Sequence, residues 1–541
     1  MDCRALPFRQ LPHQPKLFLD YLDHFARVAP FYTHEPNAKS LLREAKALKF
    51  PQERAREVAA ILRKQNSTFG SDAKTHENLD RLGKGAVAVV SGQQVGLFGG
   101  PCYSIYKALM AIQVAEELTR EGIDAVPIFW MATEDHDLDE VRHTTLFHDG
   151  HSTRFELPAP SGVGGDAGRA VGRVALGPAS ADAVREASDV LAQQGSPFLS
   201  HILRDTYAPT ETYGSAFGKL FARVLAGRGI ILLDPLDADL HRVAAPIYEQ
   251  AAAQRDSLNE SLLQRGKDLE KSGYAAQVKV TAKSTVLFYM GDGSRHVVAA
   301  TSAGFQAGSR TWSREEFSKM VLAEPQNISP NALFRPIVQD YLLPTVAYIG
   351  GAAEISYFAQ SEVLYRELLG RMPVMLPRAG FTLIDVKAAK LLKQYNLAVE
   401  DVWQGSQEIR RRMERGAVPK TLAGKFDREQ KHIAKTLAQL GKQIEKLDKT
   451  LQGSVTTAQK KIAFQLDKLR RKTGRAQDQK NAILSAHQQF LENLLYPHHT
   501  LQSRELNFLP FLARWGNTAL DELQKHSSIK KLGHHFIMPW P

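Results

Sequence analysis

Cysteine is nearly absent: Cys3 and Cys102 are the only two in 541 residues. That excludes a disulfide framework and any cysteine-rich zinc module. No apolar run approaches the ~20 residues a membrane helix needs. The start, Met1-Asp-Cys-Arg-Ala-Leu-Pro7, has no apolar signal core, so a cytoplasmic protein without membrane contact is expected. There is no Walker loop, no GxGxxG and no HExxH, and no metal is expected from the ligand spacing. His498, His499, His534 and His535 form two separated pairs that read as surface histidines. Charge of one sign is scarce outside one segment. The net charge is +11, but residues 420–480 alone hold 16 Lys/Arg against 6 Asp/Glu, and the rest is close to neutral.

What is present is organised around residues 86–140. Ala86-Val-Ala-Val-Val90 is a short β-branched run that ends in Ser91-Gly-Gln-Gln-Val-Gly-Leu-Phe-Gly-Gly-Pro101. A helical stretch follows, and then Val126-Pro-Ile-Phe-Trp-Met131 runs into Thr133-Glu-Asp-His-Asp-Leu-Asp-Glu140. This is strand, Gly-rich turn, helix, strand, with polar chemistry at each strand end. In an open parallel sheet, ligands bind beyond the carboxyl ends of the strands. Gly96 and Gly99 allow a tight turn, Pro101 suits a first helical turn, and the helix N-terminus should face the crevice and suit an anion. Lys107 lies about one turn in. His136 among carboxylates is the material of a general base or a substrate clamp; a solvated acidic turn is the plain alternative.

Three further runs repeat the pattern: Gly229–Leu233 ending at Asp234, Thr345–Ile349 ending at Gly350-Gly351, and Pro373–Leu376 ending at Arg378. With 541 residues, more than one domain is expected. Residues 1–80 read as a helical layer of the core. The core itself occupies 81–150, 216–270 and 326–385. It is interrupted by a loop-rich insertion at 151–215, including the Gly/Pro-rich 158–165, and by a small β insertion at 271–325, with Gln277–Thr281 as one strand. Residues 386–492 form a helical arm. Phe426, Ile433, Leu437, Leu440, Ile444, Leu447 and Leu451, then Val455, Ala458, Ile462, Leu466 and Leu469, fall at threes and fours around Gly453-Ser454, the spacing of an antiparallel coiled-coil hairpin. Residues 493–541 should fold back on the core.

Together these residues resemble the bacillithiol synthase family, the cysteine-adding enzymes of bacillithiol biosynthesis. The resemblance rests on Ser91–Pro101, Tyr103-Ser-Ile-Tyr-Lys107, Phe129–Val141, Ser329-Pro-Asn331, Arg335-Pro, Gln339-Asp340, Tyr348-Ile-Gly-Gly351, Glu354-Ile-Ser-Tyr357, Met372–Arg378, Tyr496-Pro and Leu501-Gln-Ser-Arg504. It covers nearly the whole chain. Cys102, Ser104 and Ala352-Ala353 depart from the family pattern, so Cys102 is not expected to be a nucleophile.

The resemblance implies an α/β fold: a Rossmann-like parallel-sheet core with two inserted connecting segments, a C-terminal antiparallel coiled coil and a homodimer. It also implies a ligase that joins L-cysteine to the amine of glucosaminyl-malate. Amide formation needs an activated carboxyl, so ATP or another adenine nucleotide is the expected source. On this reading His136 takes the amine proton, with Asp135 or Asp137 orienting it. Glu134 or Glu354 holds the cysteine ammonium. Lys107, Arg335 or Arg378 holds carboxylates, and Gly96–Pro101 an anionic group. Gln93, Gln94, Tyr103, Asn331, Gln339, Asp340, Gly350, Gly351 and Tyr357 complete the expected substrate contacts. The rival reading is a nucleic-acid-binding or scaffolding protein using the basic arm, but little aromatic interleaving supports stacking on bases.

Overall fold

Five apolar runs form one parallel sheet at the centre of the computed structural model, which describes residues 2–158, 168–291, 293–416, 420–477 and 481–540. The strands are β1 (Val87–Gln93), β2 (Ala125–Met131), β3 (Ile231–Leu233), β4 (Thr345–Gly350) and β5 (Val374–Pro377). Their spatial order is 5-4-1-2-3, every neighbouring pair parallel. Each lies within a few residues of its run in the sequence.

Alternation explains why these strands are apolar on both sides. Val87 and Val89 of β1 enter one core, with Phe129 and Met131 of β2. Ala88 and Val90 enter the other, with Ile128 and Trp130. Such doubly covered strands need no polar face. Helix α1 (Cys102–Arg120) follows β1, α2 (Arg335–Leu342) precedes β4, and α3 (Ala352–Leu368) follows it. The chain thus leaves β1 and β4, which are neighbours, towards different helices. That divergence opens a crevice at their carboxyl ends, the switch point of an open α/β sheet.

Several expectations change in the structure. Residues 151–215 are not mainly loop: after the hairpin His143–His148/His151–Glu156 come helices Ser180–Gln193 and Pro197–Thr206. From residue 159, the Gly/Pro-rich stretch lies outside the described residues. Gln277–Thr281 is not a strand; the second insertion is a five-stranded antiparallel sheet that begins at Ser284–Tyr289 and includes Ile328–Pro330. The first residues are not all helical. Asp2–Leu6 pairs antiparallel with His534–Trp540, which pairs parallel with Gly380–Asp385. His534 and His535 are therefore buried, not at the surface, with His534 Nε2 2.8 Å from Thr382 Oγ1.

The arm forms as its periodicity indicates. Helices α4 (Lys420–Leu447) and α5 (Gln452–Gln477) run antiparallel, with Arg470 donating to Asp427 at 2.6 Å and Gly441 set against Val455. None of residues 421–473 is fully buried, and Leu440 (50% exposed), Leu447 (86%), Phe464 (56%) and Leu469 (54%) stand largely in solvent. Among the described residues no helix is long and apolar enough to cross a membrane.

Candidate functional site

The crevice at the switch point is a cavity of about 690 Å³, within the range of small-molecule sites. Gln93, Gln94, Tyr103, Lys107, Glu134, Asp135, Asn331, Arg335, Gly351, Glu354, Tyr357 and Arg378 line it. Segments scattered over almost 300 residues of sequence thus meet on one wall system.

Lys107 is its buried centre. Its ammonium donates to Gly92 O at 2.8 Å and Gln93 Oε1 at 2.9 Å, and it forms an ion pair with Glu354. Burial holds Lys107 below the usual lysine range, although Glu354 pulls the other way. Burial pushes the Glu354 carboxyl up, but Lys107, the Gly351 N–H (2.7 Å) and the Tyr348 hydroxyl (2.7 Å) outweigh it and leave it below the usual range. Glu354 is therefore an ionised carboxylate already held by protein donors.

Arg335 opens α2. It donates to Gln339 Oε1 at 3.0 Å and reaches the Tyr348 and Tyr357 hydroxyls at 3.4 Å. Burial alone would lower its pKa, yet the phenol oxygens and Glu354 raise it overall. Gln339 and Asp340 do not line the cavity. Gln339 donates to Asp340 at 2.8 Å, and Tyr365 donates to Asp340, so this pair forms a buried support behind Arg335. Asn331 lines the cavity, but its Oδ1 accepts from the Leu333 and Phe334 N–H groups at 3.0 Å and so shapes the turn into α2.

The Gly-rich turn differs from expectation. The first α1 N–H, from Cys102, donates to Leu506 O at 2.8 Å, and the Asn507 amide donates to Phe98 O and Gly100 O, both at 2.9 Å. The C-terminal segment thus covers this helix start and takes its first N–H away from any ligand. Gly96 lines a smaller adjoining cavity with Arg504 and Glu505. A Cβ on Gly96 would lie 2.9 Å from Gly100 Cα, and Gly99 has φ +89°, so both glycines serve the tight turn. Cys102 is fully buried, and burial pushes its thiol up to about 12, which suits packing rather than nucleophilic attack. From α1 the Tyr103 side chain lines the cavity, and the start of α3 also meets it, through Gly351, Ala352 and Ala353. Gly350, at the end of β4, instead accepts from the Arg378 N–H at 2.8 Å.

The acidic cluster divides by role. Asp135 Oδ2 accepts from Gln94 at 2.8 Å, and its Oδ1 accepts from the His136 N–H at 2.7 Å. Asp137 caps the short helix Leu138–Val141. His136, expected as the base, is not among the residues that line the cavity; it is half-exposed beside Asp135, with Nδ1 3.5 Å from Asp135 Oδ1 and 3.3 Å from Arg295 Nη1. Glu134 is buried, and burial pushes its carboxyl up to about 8. Its Oε1 and His241 Nε2, 3.8 Å apart, make no hydrogen bond among the described residues. Burial drives His241 down to about 4, so it is neutral.

Two cavity residues had no sequence signal that assigned them a role. Arg295 comes from the β insertion; it stacks on Phe288 at 3.9 Å and donates to Ser329 Oγ (3.0 Å) and Pro330 O (2.7 Å). Arg504 lies in the C-terminal segment, in a family motif but without an assigned contact. It faces Arg378, whose pKa burial and Arg504 together push down to about 10. Neither Arg378 nor Arg504 pairs with a carboxylate among the described residues; the guanidinium of Arg378 rests on the Tyr103 ring at 4.9 Å.

Fold and site together define a Rossmann-like α/β protein with a cation-rich metabolite cavity and a C-terminal coiled coil. Residues 1–379 match the family model described as "Bacillithiol biosynthesis BshC, N-terminal Rossmann-like domain", and residues 381–538 match "Bacillithiol biosynthesis BshC, C-terminal coiled-coil domain". The chain belongs to the BshC family of bacillithiol biosynthesis. Similar relatives occur in Koribacter versatilis (39% identical, covering 96% of this chain and 97% of the relative) and Solibacter usitatus (36%, 95% and 96%). A third, from Salinibacter ruber, is 31% identical over 94% of both chains, and all three carry the name "Putative cysteine ligase BshC". These matches do not favour the nucleic-acid reading of the basic arm.

Proposed function

We propose that this protein is a cytoplasmic cysteine ligase that joins L-cysteine to the amine of glucosaminyl-malate through an amide bond. One observation carries the reading: Arg378 and Arg504 line the same cavity and repel each other, neither forms a salt bridge among the described residues, and the nearest carboxylate, Glu354, is already held by Lys107. Two like charges held together in a partly dry site are costly unless an anion joins them. A malate group, with two carboxylates, meets that need, and bidentate Arg–carboxylate pairing fits it sterically.

Glu354 is engaged by Lys107, which leaves Glu134 to receive the cysteine ammonium; an arriving cation favours its ionised form. The base is assigned to His136, which would turn into the cavity with Nδ1 directed to Asp135 and Nε2 left to take the proton. The Asp137 side chain caps a helix and orients nothing at the base.

An adenine nucleotide would supply activation of the cysteine carboxyl. Leu258, Leu262, Val278 and Val280 among the lining residues would serve as apolar walls for a base, and Lys279 would supply a cation for phosphates, whereas Arg255 is already held by Asp256 and the Ser284 carbonyl. The arm would join two copies, because its apolar residues remain uncovered within one chain.

The test is purified protein with cysteine and glucosaminyl-malate, with and without ATP, read by mass spectrometry. The amide product should appear only with all substrates and ATP. Full turnover by His136→Ala at saturating substrate would remove the base assignment; no product under any condition would remove the ligase reading.

A further inference from the structure

Away from the cavity, three chain segments bring together one sulfur and two imidazoles. Cys3, His526 and His535 each place a ligand atom within 4.8 Å of the others. Cys3 is on the strand Asp2–Leu6 and His535 on its antiparallel partner, where Ala5 faces His535 and Cys3 is two residues further along. Residues at this diagonal offset share a face and can touch. His526 ends the helix Asn517–His526.

The geometry around His535 is that of a metal ligand. Its Nε2 lies 3.0 Å from Lys531 O, a contact that places a proton on Nε2 and leaves the lone pair on Nδ1. That Nδ1 is 3.6 Å from Cys3 Sγ. In a tetrahedral zinc site, Zn–S near 2.3 Å and Zn–N near 2.0–2.1 Å set the S···N separation at roughly 3.5 Å. The observed pair is already at that spacing. Glu522 lies outside that group of three, with Oε2 4.0 Å from His526 Nε2, and reaches the fourth position by a movement of its side chain.

We infer that Cys3, His526 and His535 form a structural zinc site that ties the first strand to the C-terminal strand and its preceding helix, with Glu522 as fourth ligand. Thiolate with imidazole is a donor set that suits Zn²⁺. Binding converts the Cys3 thiol to a thiolate, its proton passing to solvent, and needs both rings neutral. Lys531 and Lys525 oppose a cation here, whereas Glu522 and the thiolate together balance its two charges. This site departs from the expectation of no metal, because its ligands are far apart in sequence and no spacing motif marks them.

The experiment is a Co²⁺ titration of the full chain after chelation and dialysis, followed by displacement with Zn²⁺ and by melting with and without Zn²⁺. One equivalent of Co²⁺ should give a tetrahedral visible spectrum with a thiolate-to-cobalt charge-transfer band, bleached by Zn²⁺. Zn²⁺ should also raise the melting temperature. Cys3→Ser should lose the charge-transfer band, and His526→Asn should weaken binding by at least about tenfold, in line with the sensitivity of metal shells to single substitutions. Both variants should melt like the parent in metal-free buffer. If the parent shows no such band, Cys3 and His535 are a thiol–imidazole hydrogen bond and the site is wrong. Unchanged metal affinity in both variants would equally overturn it.

Discussion

Lys107 and Glu354 join the two halves of the parallel sheet at its carboxyl edge. Lys107 comes from the helix after β1, Glu354 from the helix after β4, and their ion pair lies across the switch point, with Lys107 fully buried. The helix starts on either side of the crevice are thus fixed to each other by charge.

Removing one partner strands the other. Lys107→Met or Glu354→Gln should each destabilise the fold by about 3–5 kcal/mol, the usual cost of an uncompensated buried charge. The double variant should lose less than the sum of the two. Urea unfolding of all four proteins in a double-mutant cycle measures the coupling.

Arg378→Gln should act mainly on substrate capture. Losing a charge-assisted hydrogen bond of about 1.5–3 kcal/mol corresponds to a rise of roughly 10- to 150-fold in KM for glucosaminyl-malate. The KM for cysteine should change little. Because Arg504 depresses Arg378, Arg504→Gln should bring the Arg378 guanidinium back towards its ordinary range. Steady-state kinetics with each substrate varied in turn would check the first effect.

Glu134 should make stability fall as pH rises. Its carboxyl is raised from 4.5 to about 8 on folding, so between those values the folded state keeps a proton that the unfolded chain has lost. The contribution is complete below about 4.5 and gone above about 8. His241, lowered from 6.5 to about 4, acts oppositely between those two values, so the Glu134 slope is cleanest from 6.5 to 8. Thermal melts of parent and Glu134→Gln across pH 6 to 9 should show the slope only in the parent.

The arm's open apolar residues should set oligomeric state. Leu440→Lys with Leu447→Lys places charge on side chains that are 50% and 86% exposed in one chain. The pair should convert the proposed dimer to monomer while leaving the melting of the core unchanged. Analytical ultracentrifugation of the variant, run beside the parent, decides it.

All five strands of the sheet were legible because each is a short apolar run closed by a turn, and burial on both faces demands such runs. Lys107, Glu354 and Arg378 were legible as well, since polar residues just beyond those strands must share a crevice, whereas Arg335, which precedes β4, was reached through the family resemblance. The location of Gly96–Pro101 was readable, but its surroundings were not: the segment that covers it lies some 400 residues away, and Asn507 carries no local pattern that announces a contact with Phe98 O. Arg295 was illegible for the same reason, being set by the fold of an insertion. The pairing of Asp2–Leu6 with His534–Trp540 was invisible because strand partners separated by most of the chain leave no mark on spacing.

Asn507 and Arg504 also give the pocket a place in time. As the polypeptide leaves the ribosome, β1 to β5 are all free before residue 504 has been made. The sheet can assemble while its loop 96–101 is unsupported and Arg378 lacks its neighbour. A nascent chain halted in the arm would therefore lack both this wall of the cavity and the residues, Phe508 and Leu512 among them, that complete the core on one face of the sheet.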